Sequence, residues 1–123
     1  MNKTTKCAYV GVFVVTPTLD KILVVHNEDE TITIPNGDVR RGEEYKTSAS
    51  RCLFEMCGIR ISENDFVSND PIVEGENAFM VVMSYKKPVG DWNCSYVPWR
   101  FAEDSCEEFL ENPIKKAKQF FFS

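Results

Sequence analysis

The chain has 123 residues, room for one domain with its own core and too few for two. Hydrophobic residues make up 43% and charged residues 27%, ordinary values for a water-exposed globular protein. The net charge of −5 and pI near 4.9 disfavour nonspecific attraction to nucleic acid or membrane surfaces. No run approaches the roughly 18 apolar residues that a bilayer span requires, so no membrane partner is expected.

In chain order, "CAYVGVFVV" (7–15) is rich in β-branched and aromatic residues and reads as a strand. The two lysines before it do not make it a signal peptide, because no small-residue cleavage site follows. "PTLD" (17–20) is a turn, and "KILVVHN" (21–27) completes a hairpin. An acidic loop (27–30), a short strand ending at Pro35 and a loop at 36–44 with two glycines follow. From Tyr45 to Cys57 the period changes. Tyr45, Ala49, Cys52, Leu53 and Met56 form one apolar stripe at helical spacing, and Gly58 stands where a helix C-cap belongs.

Residues 65–73 read as a strand and 74–77 as a turn. "AFMVVMSYK" (78–86) is apolar at nearly every position, as expected of a central strand covered on both faces. Residues 87–95 read as a loop, and 96–102, carrying Trp99 and Phe101, as a short extended piece. The last segment begins with acids and ends with lysines, complementing a helix dipole. Pro113 weighs against one unbroken helix, and two short helices or a turn and a helix fit the segment equally well. Strands, a helix, strands and a terminal helix predict a layered α/β domain with a mixed sheet, one unit over 1–123.

The five cysteines are odd in number and form no C-x-x-C pair, which suits a reducing, cytoplasmic setting. Zinc has no ligand set, with His26 the lone histidine. Arg40 and Arg41, Lys86 and Lys87, and Lys115, Lys116 and Lys118 are local basic clusters within an acidic chain.

Residues 34–59 concentrate the chemistry: a strand, a glycine turn and a helix, with acids around the turn. Gly37 and Gly42 allow tight turns and close approach to a ligand. Glu43 and Glu44 lie in or just before the first helical turn, and Arg51 and Glu55 are an i,i+4 pair. The order Gly37, Glu43, Arg51, Leu53, Glu55, Gly58, Ile59 resembles the Nudix box, G-x5-E-x7-R-E-U-x-E-E-x-G-U, in register throughout. Pro35-Asn36-Gly37 is similar to the Pro-Gly-Gly that leads into that box, and the order of elements follows the Nudix pattern over nearly the whole chain. The resemblance implies an α/β/α sandwich.

It also implies what helix acids would do: bind Mg²⁺ or Mn²⁺ bridging a substrate diphosphate. Two of those acids are replaced here, by Cys52 and Met56. Positions four apart share a helix face, and thiol and thioether are poor ligands for a hard cation. Glu55 and Glu43 remain as the candidate catalytic and metal-binding residues, with Arg51, Gly37 and Glu44 as candidate substrate-binding residues. Glu74, Glu76, Asp91, Glu103 and Asp104 are acids elsewhere that could compensate. GDP-sugar hydrolases with an altered box use a histidine, for which this chain offers only His26.

The expectation is a degenerate Nudix domain, catalytically inactive or weak. It would bind a nucleotide, an RNA end, or a protein or ribonucleoprotein partner, and need no cofactor. Tyr45, Phe79, Trp92 and Trp99 are candidate stacking surfaces. The alternative is an Mg²⁺- or Mn²⁺-dependent hydrolase of nucleoside diphosphate-linked compounds.

Overall fold

A computed structural model describes residues 7–90 and 93–122. Strands β1 (Tyr9–Val15), β2 (Lys21–His26), β3 (Ile32–Thr33) and β4 (Asn36–Asp38) come first, then helix α1 (Tyr45–Cys57). Strands β5 (Val73–Glu74), β6 (Ala78–Met83) and β7 (Cys94–Pro98) follow, and helices α2 (Trp99–Ser105) and α3 (Glu111–Phe122) finish the chain. The strands form one mixed sheet with the path β3-β2-β1-β6-β5, in which β4 also pairs β1 and β7 also pairs β2.

The predicted hairpin is present: β1 and β2 are antiparallel, with Val15 opposite Ile22. They separate soon afterwards. The far end of β1 is taken by β4, with Tyr9 opposite Asp38 and Gly11 opposite Asn36. Along its other edge β1 runs parallel to β6 over six residue pairs, from Val10–Ala78 to Val15–Met83. That pairing fixes β6 in the middle of the sheet.

Period-two alternation then sorts the side chains between two faces. Val10, Val12, Val14, Leu23, Val25, Ala78, Met80 and Val82 pack with α1 residues Ala49, Cys52 and Leu53. Phe13, Val15, Ile22, Val24, Phe79 and Val81 pack instead with Trp99, Ala102, Ile114 and Ala117 of α2 and α3. The result is the expected α/β/α sandwich, with β6 covered on both sides. Among the described residues, no helix is long and apolar enough to cross a membrane.

Helix α1 buries Tyr45, Ser48, Ala49, Cys52, Leu53 and Cys57, the stripe that helical spacing requires. Gly58 ends it in a left-handed conformation (φ 66°), its N–H donating to the Phe54 carbonyl. A Cβ at this position would also lie 2.1 Å from the Val89 carbonyl oxygen.

Four expectations need correction. Residues 36–38 are strand β4, not loop. Residues 65–73 are mostly irregular: Phe66 makes an isolated bridge to Val82, and Val67 and Ile72 donate backbone bonds to Val81 and Phe79. Pro71, between them, has no N–H to give a ladder. The assigned loop 87–95 already contains the start of β7, and the assigned extended piece 96–102 splits at Pro98 into the end of β7 and the start of α2. Trp99 and Ala102 are buried three residues apart, a helical spacing hidden in a short aromatic segment. At the C-terminus the expected turn and helix are present, a 3₁₀ turn (Glu108–Leu110) followed by α3, and Pro113 lies in the first turn of α3, where no intrahelical N–H bond is required.

Gly58→Ala is expected to destabilise the fold by about 2–4 kcal/mol, combining left-handed strain with the clash at Val89. The measurement is the urea midpoint at constant m-value; a change below about 0.5 kcal/mol would contradict this account of the helix end.

Candidate functional site

The sequence-predicted residues Gly37, Glu43, Arg51 and Glu55 are brought together where β4, the loop at 39–44 and α1 meet. Arg51 is the centre. Its Nη2 donates to Glu43 Oε1 (2.9 Å) and to the Asp38 carbonyl (2.6 Å), and its Nε to Glu43 Oε2 (3.3 Å). Its Nη1 reaches Glu55 Oε1 at 3.2 Å, one helical turn away. The planar guanidinium thus ties the end of β4, the loop and the helix in one fork.

Glu43 is the more fully engaged acid. Besides Arg51 it accepts from the Ser48 hydroxyl (2.8 Å) and the Arg40 N–H (2.9 Å). The guanidinium above all, with those two donors, holds its carboxyl down at about 2. Reciprocally, the Glu43 carboxylate pushes the Arg51 pKa up. Glu55 is different: its side chain is 54% exposed and faces solvent beyond its single bond to Arg51.

Beside this polar fork the helix turns sulfur toward β4. Cys52 is buried, and a Cβ built on Gly37 would come within 2.6 Å of its Sγ. The glycine is therefore needed for close approach, since its φ is not positive. Burial pushes the Cys52 thiol pKa up, so it remains a neutral thiol at neutral pH. Met56 Sδ accepts the Asn36 N–H at 3.3 Å. Both sulfurs are thus committed to holding α1 against β4.

A hard divalent cation needs several oxygen ligands, commonly including carboxylates. Here the i,i+4 pair is sulfur, Glu43 is consumed by Arg51, Ser48 and Arg40, and Glu55 stands alone at the edge. Among the described residues, no group of three or more His, Cys, Asp or Glu side chains could hold a metal. These residues do not fit Mg²⁺ or Mn²⁺.

The other candidates are dispersed. Glu44 is the exposed N-cap residue of α1, immediately before the first turn, and makes no side-chain capping bond. Glu74 accepts from the Tyr45 hydroxyl (2.8 Å) and Glu103 pairs with Lys118, while Glu76 and Asp104 are exposed. His26 Nε2 meets Ser95 Oγ at 2.6 Å. Tyr45, Phe79 and Trp99 are buried core residues rather than stacking platforms, the Trp99 indole donating to the Leu19 carbonyl. Asp91 and Trp92 lie outside the described residues. Sequence reasoning missed the Asp38 carbonyl and the Asn36 N–H, backbone groups that carry no residue-type signal.

The Arg51–Glu43 contact sets a pH dependence. Folding lowers the Glu43 pKa from 4.5 to about 2, so its contribution is complete above pH 4.5 and disappears as pH falls toward 2. Glu43→Gln should cost about 2 kcal/mol at pH 7 and flatten stability between pH 4.5 and 2, as read by urea unfolding; an unchanged acid limb would contradict the clamp. Gly37→Ala should cost about 1–3 kcal/mol through overpacking on Cys52. The Gly37→Ala/Cys52→Ala double variant should recover at least about 0.5 kcal/mol relative to the sum of the single changes. Strict additivity would contradict the contact.

No family model and no curated protein matches the sequence. Solved structures do. A Nudix hydrolase from M. smegmatis, RenU, superposes with a TM-score of 0.74 at 10% identity, covering 97% of this chain and 88% of its own. A MutT described for Aliivibrio salmonicida and Vibrio cholerae gives 0.70 at 18% identity, over 88% and 92%. An Ap4A hydrolase from C. elegans gives 0.68 at 13% identity, over 92% and 97%. With the sandwich, the mixed sheet and a box-like helix in the same order, the chain has the fold of the Nudix hydrolases.

Proposed function

We propose that this Nudix-fold chain is a binding domain with absent or weak hydrolytic activity, and that its ligand is a nucleotide, free or at the end of an RNA. One observation carries the reading: the α1 edge that the box would furnish with carboxylates is Cys52 packed on Gly37 and Met56 bonded to Asn36. In the same place Arg51 draws Glu43 and Glu55 into a structural ion-pair network.

The nucleotide class is supported from two sides. A structure with the same fold is named for Ap4A, a dinucleoside polyphosphate. On this chain Arg40 and Arg41 are exposed at the loop that leads into α1, next to the Arg51 fork, where they would meet a phosphate.

The alternative, a Mg²⁺- or Mn²⁺-dependent hydrolase of nucleoside diphosphate-linked compounds, rests on the exposed carboxylate of Glu55. Losing one electrostatic contributor commonly lowers a rate by about a hundredfold or more, and two are replaced here.

The test incubates the protein with Mg²⁺ or Mn²⁺ and a panel of dinucleoside polyphosphates, ADP-ribose and nucleoside triphosphates, with calorimetric titration of the same compounds in EDTA. The expected outcome is binding that survives EDTA, with turnover at least about a hundredfold below that of the Cys52→Glu/Met56→Glu variant. Turnover by the unaltered protein that Glu55→Gln abolishes would overturn the binding reading. Absence of nucleotide binding would overturn the ligand class and leave a protein or ribonucleoprotein partner.

A further inference from the structure

Cys57 closes α1 and Cys94 opens β7, 37 positions later in the sequence, yet their Sγ atoms are 2.7 Å apart. Both are free thiols. Each sits on an element held independently of the other. Gly58 fixes the end of α1 through its bond to Phe54, and the Cys57 carbonyl accepts the Val89 N–H at 2.8 Å. β7 is paired to β2 over five residue pairs, from Lys21–Pro98 to Val25–Cys94. The two sulfurs therefore meet because two rigid elements aim them at one point, not because a loop has wandered.

The remaining cysteines have other neighbours. Cys7 donates to the Gly75 carbonyl, Cys52 packs on Gly37, and Cys106 donates to the Glu103 carbonyl. Accessibility within the pair is asymmetric: Cys57 is buried, whereas Cys94 is half-buried and follows the exposed Asn93. A small oxidant would reach Cys94 first, with Cys57 already in place behind it. A disulfide needs sulfurs about 2.05 Å apart, within a short movement of where these two stand.

We propose that Cys57 and Cys94 form a reversible dithiol–disulfide couple, a redox modification site that fastens the C-terminal end of α1 to β7. With hydrogen peroxide as oxidant, the Cys94 sulfur attacks one peroxide oxygen. The O–O bond breaks, a sulfenic acid forms, and the thiol proton leaves with the second oxygen as water. The Cys57 sulfur then attacks the Cys94 sulfur, the S–S bond forms, and the sulfenic oxygen departs with the Cys57 proton as a second water. Two thiols and one peroxide give one disulfide and two waters; the sulfurs lose two electrons and the peroxide gains them. A dithiol reductant reverses the bond by exchange.

The couple stands whether or not the neighbouring box binds a nucleotide, although it would pin the turn that carries Glu55 and Met56. Closing the span from 57 to 94 would also restrict the unfolded chain, so the oxidised form should melt higher.

The experiment treats the folded, reduced protein with hydrogen peroxide and reads intact mass, peptide linkage and Tm. Expected are a loss of about 2 Da that dithiothreitol restores, a Cys57–Cys94 linked peptide, and a Tm rise of at least about 5 °C. Cys94→Ser, at the half-buried position, should abolish the link and the Tm rise, as should Cys57→Ala; Cys106→Ser should leave both intact. Oxygen adducts without a link, a link through Cys7, Cys52 or Cys106, or a link that lowers Tm would each overturn the proposal.

Discussion

The Arg51 guanidinium holds three pieces of chain at once: the Asp38 carbonyl at the end of β4, the Glu43 carboxylate in the loop, and Glu55 on its own helix. Charge-assisted bonds of this kind are roughly twice as strong as neutral ones, and the bidentate part fixes orientation as well as distance. Once Arg51 is so placed, the loop must lie against the helix, and β4 must pass close enough for Gly37 to touch Cys52. The same fork therefore holds β4, the loop and the helix together and occupies the Glu43 carboxylate.

The sulfur contacts complete that trade. Acids at positions 52 and 56 would repel each other and require a cation between them. A thiol and a thioether need none. Cys52 contributes to the apolar core and Met56 accepts a backbone N–H of β4, so both side chains hold α1 against the sheet. On the proposed reading, this is a physical reason why the fold persists without acids at those two positions.

Much of this was legible in the sequence because it rests on side-chain period or fixed spacing. The β-branched and aromatic content of β1, the continuous apolar run of β6 and the 3.6-residue stripe of α1 predicted a layered α/β domain with a mixed sheet, while the intervals between Gly37, Glu43, Arg51 and Glu55 carried the resemblance that implied the sandwich and marked the candidate site. What escaped is carried by backbone or by long-range meeting. β4 is only three residues long and pairs through main chain. Helix α2 hides its spacing in a seven-residue segment behind Pro98. The Asp38 carbonyl and Asn36 N–H look alike in every residue type, and the Cys57–Cys94 meeting depends on how α1 sits on β7, with no C-x-x-C to announce it.

On the proposed reading the α1 edge grips no hard cation, which titration with Mn²⁺ followed by electron paramagnetic resonance measures at the site itself. The Mn²⁺ signal is expected to keep the intensity of free aquo ion with the unaltered protein and to fall only when carboxylates are placed at positions 52 and 56. A saturable loss of signal in the unaltered protein, removed by Glu55→Gln, would contradict it.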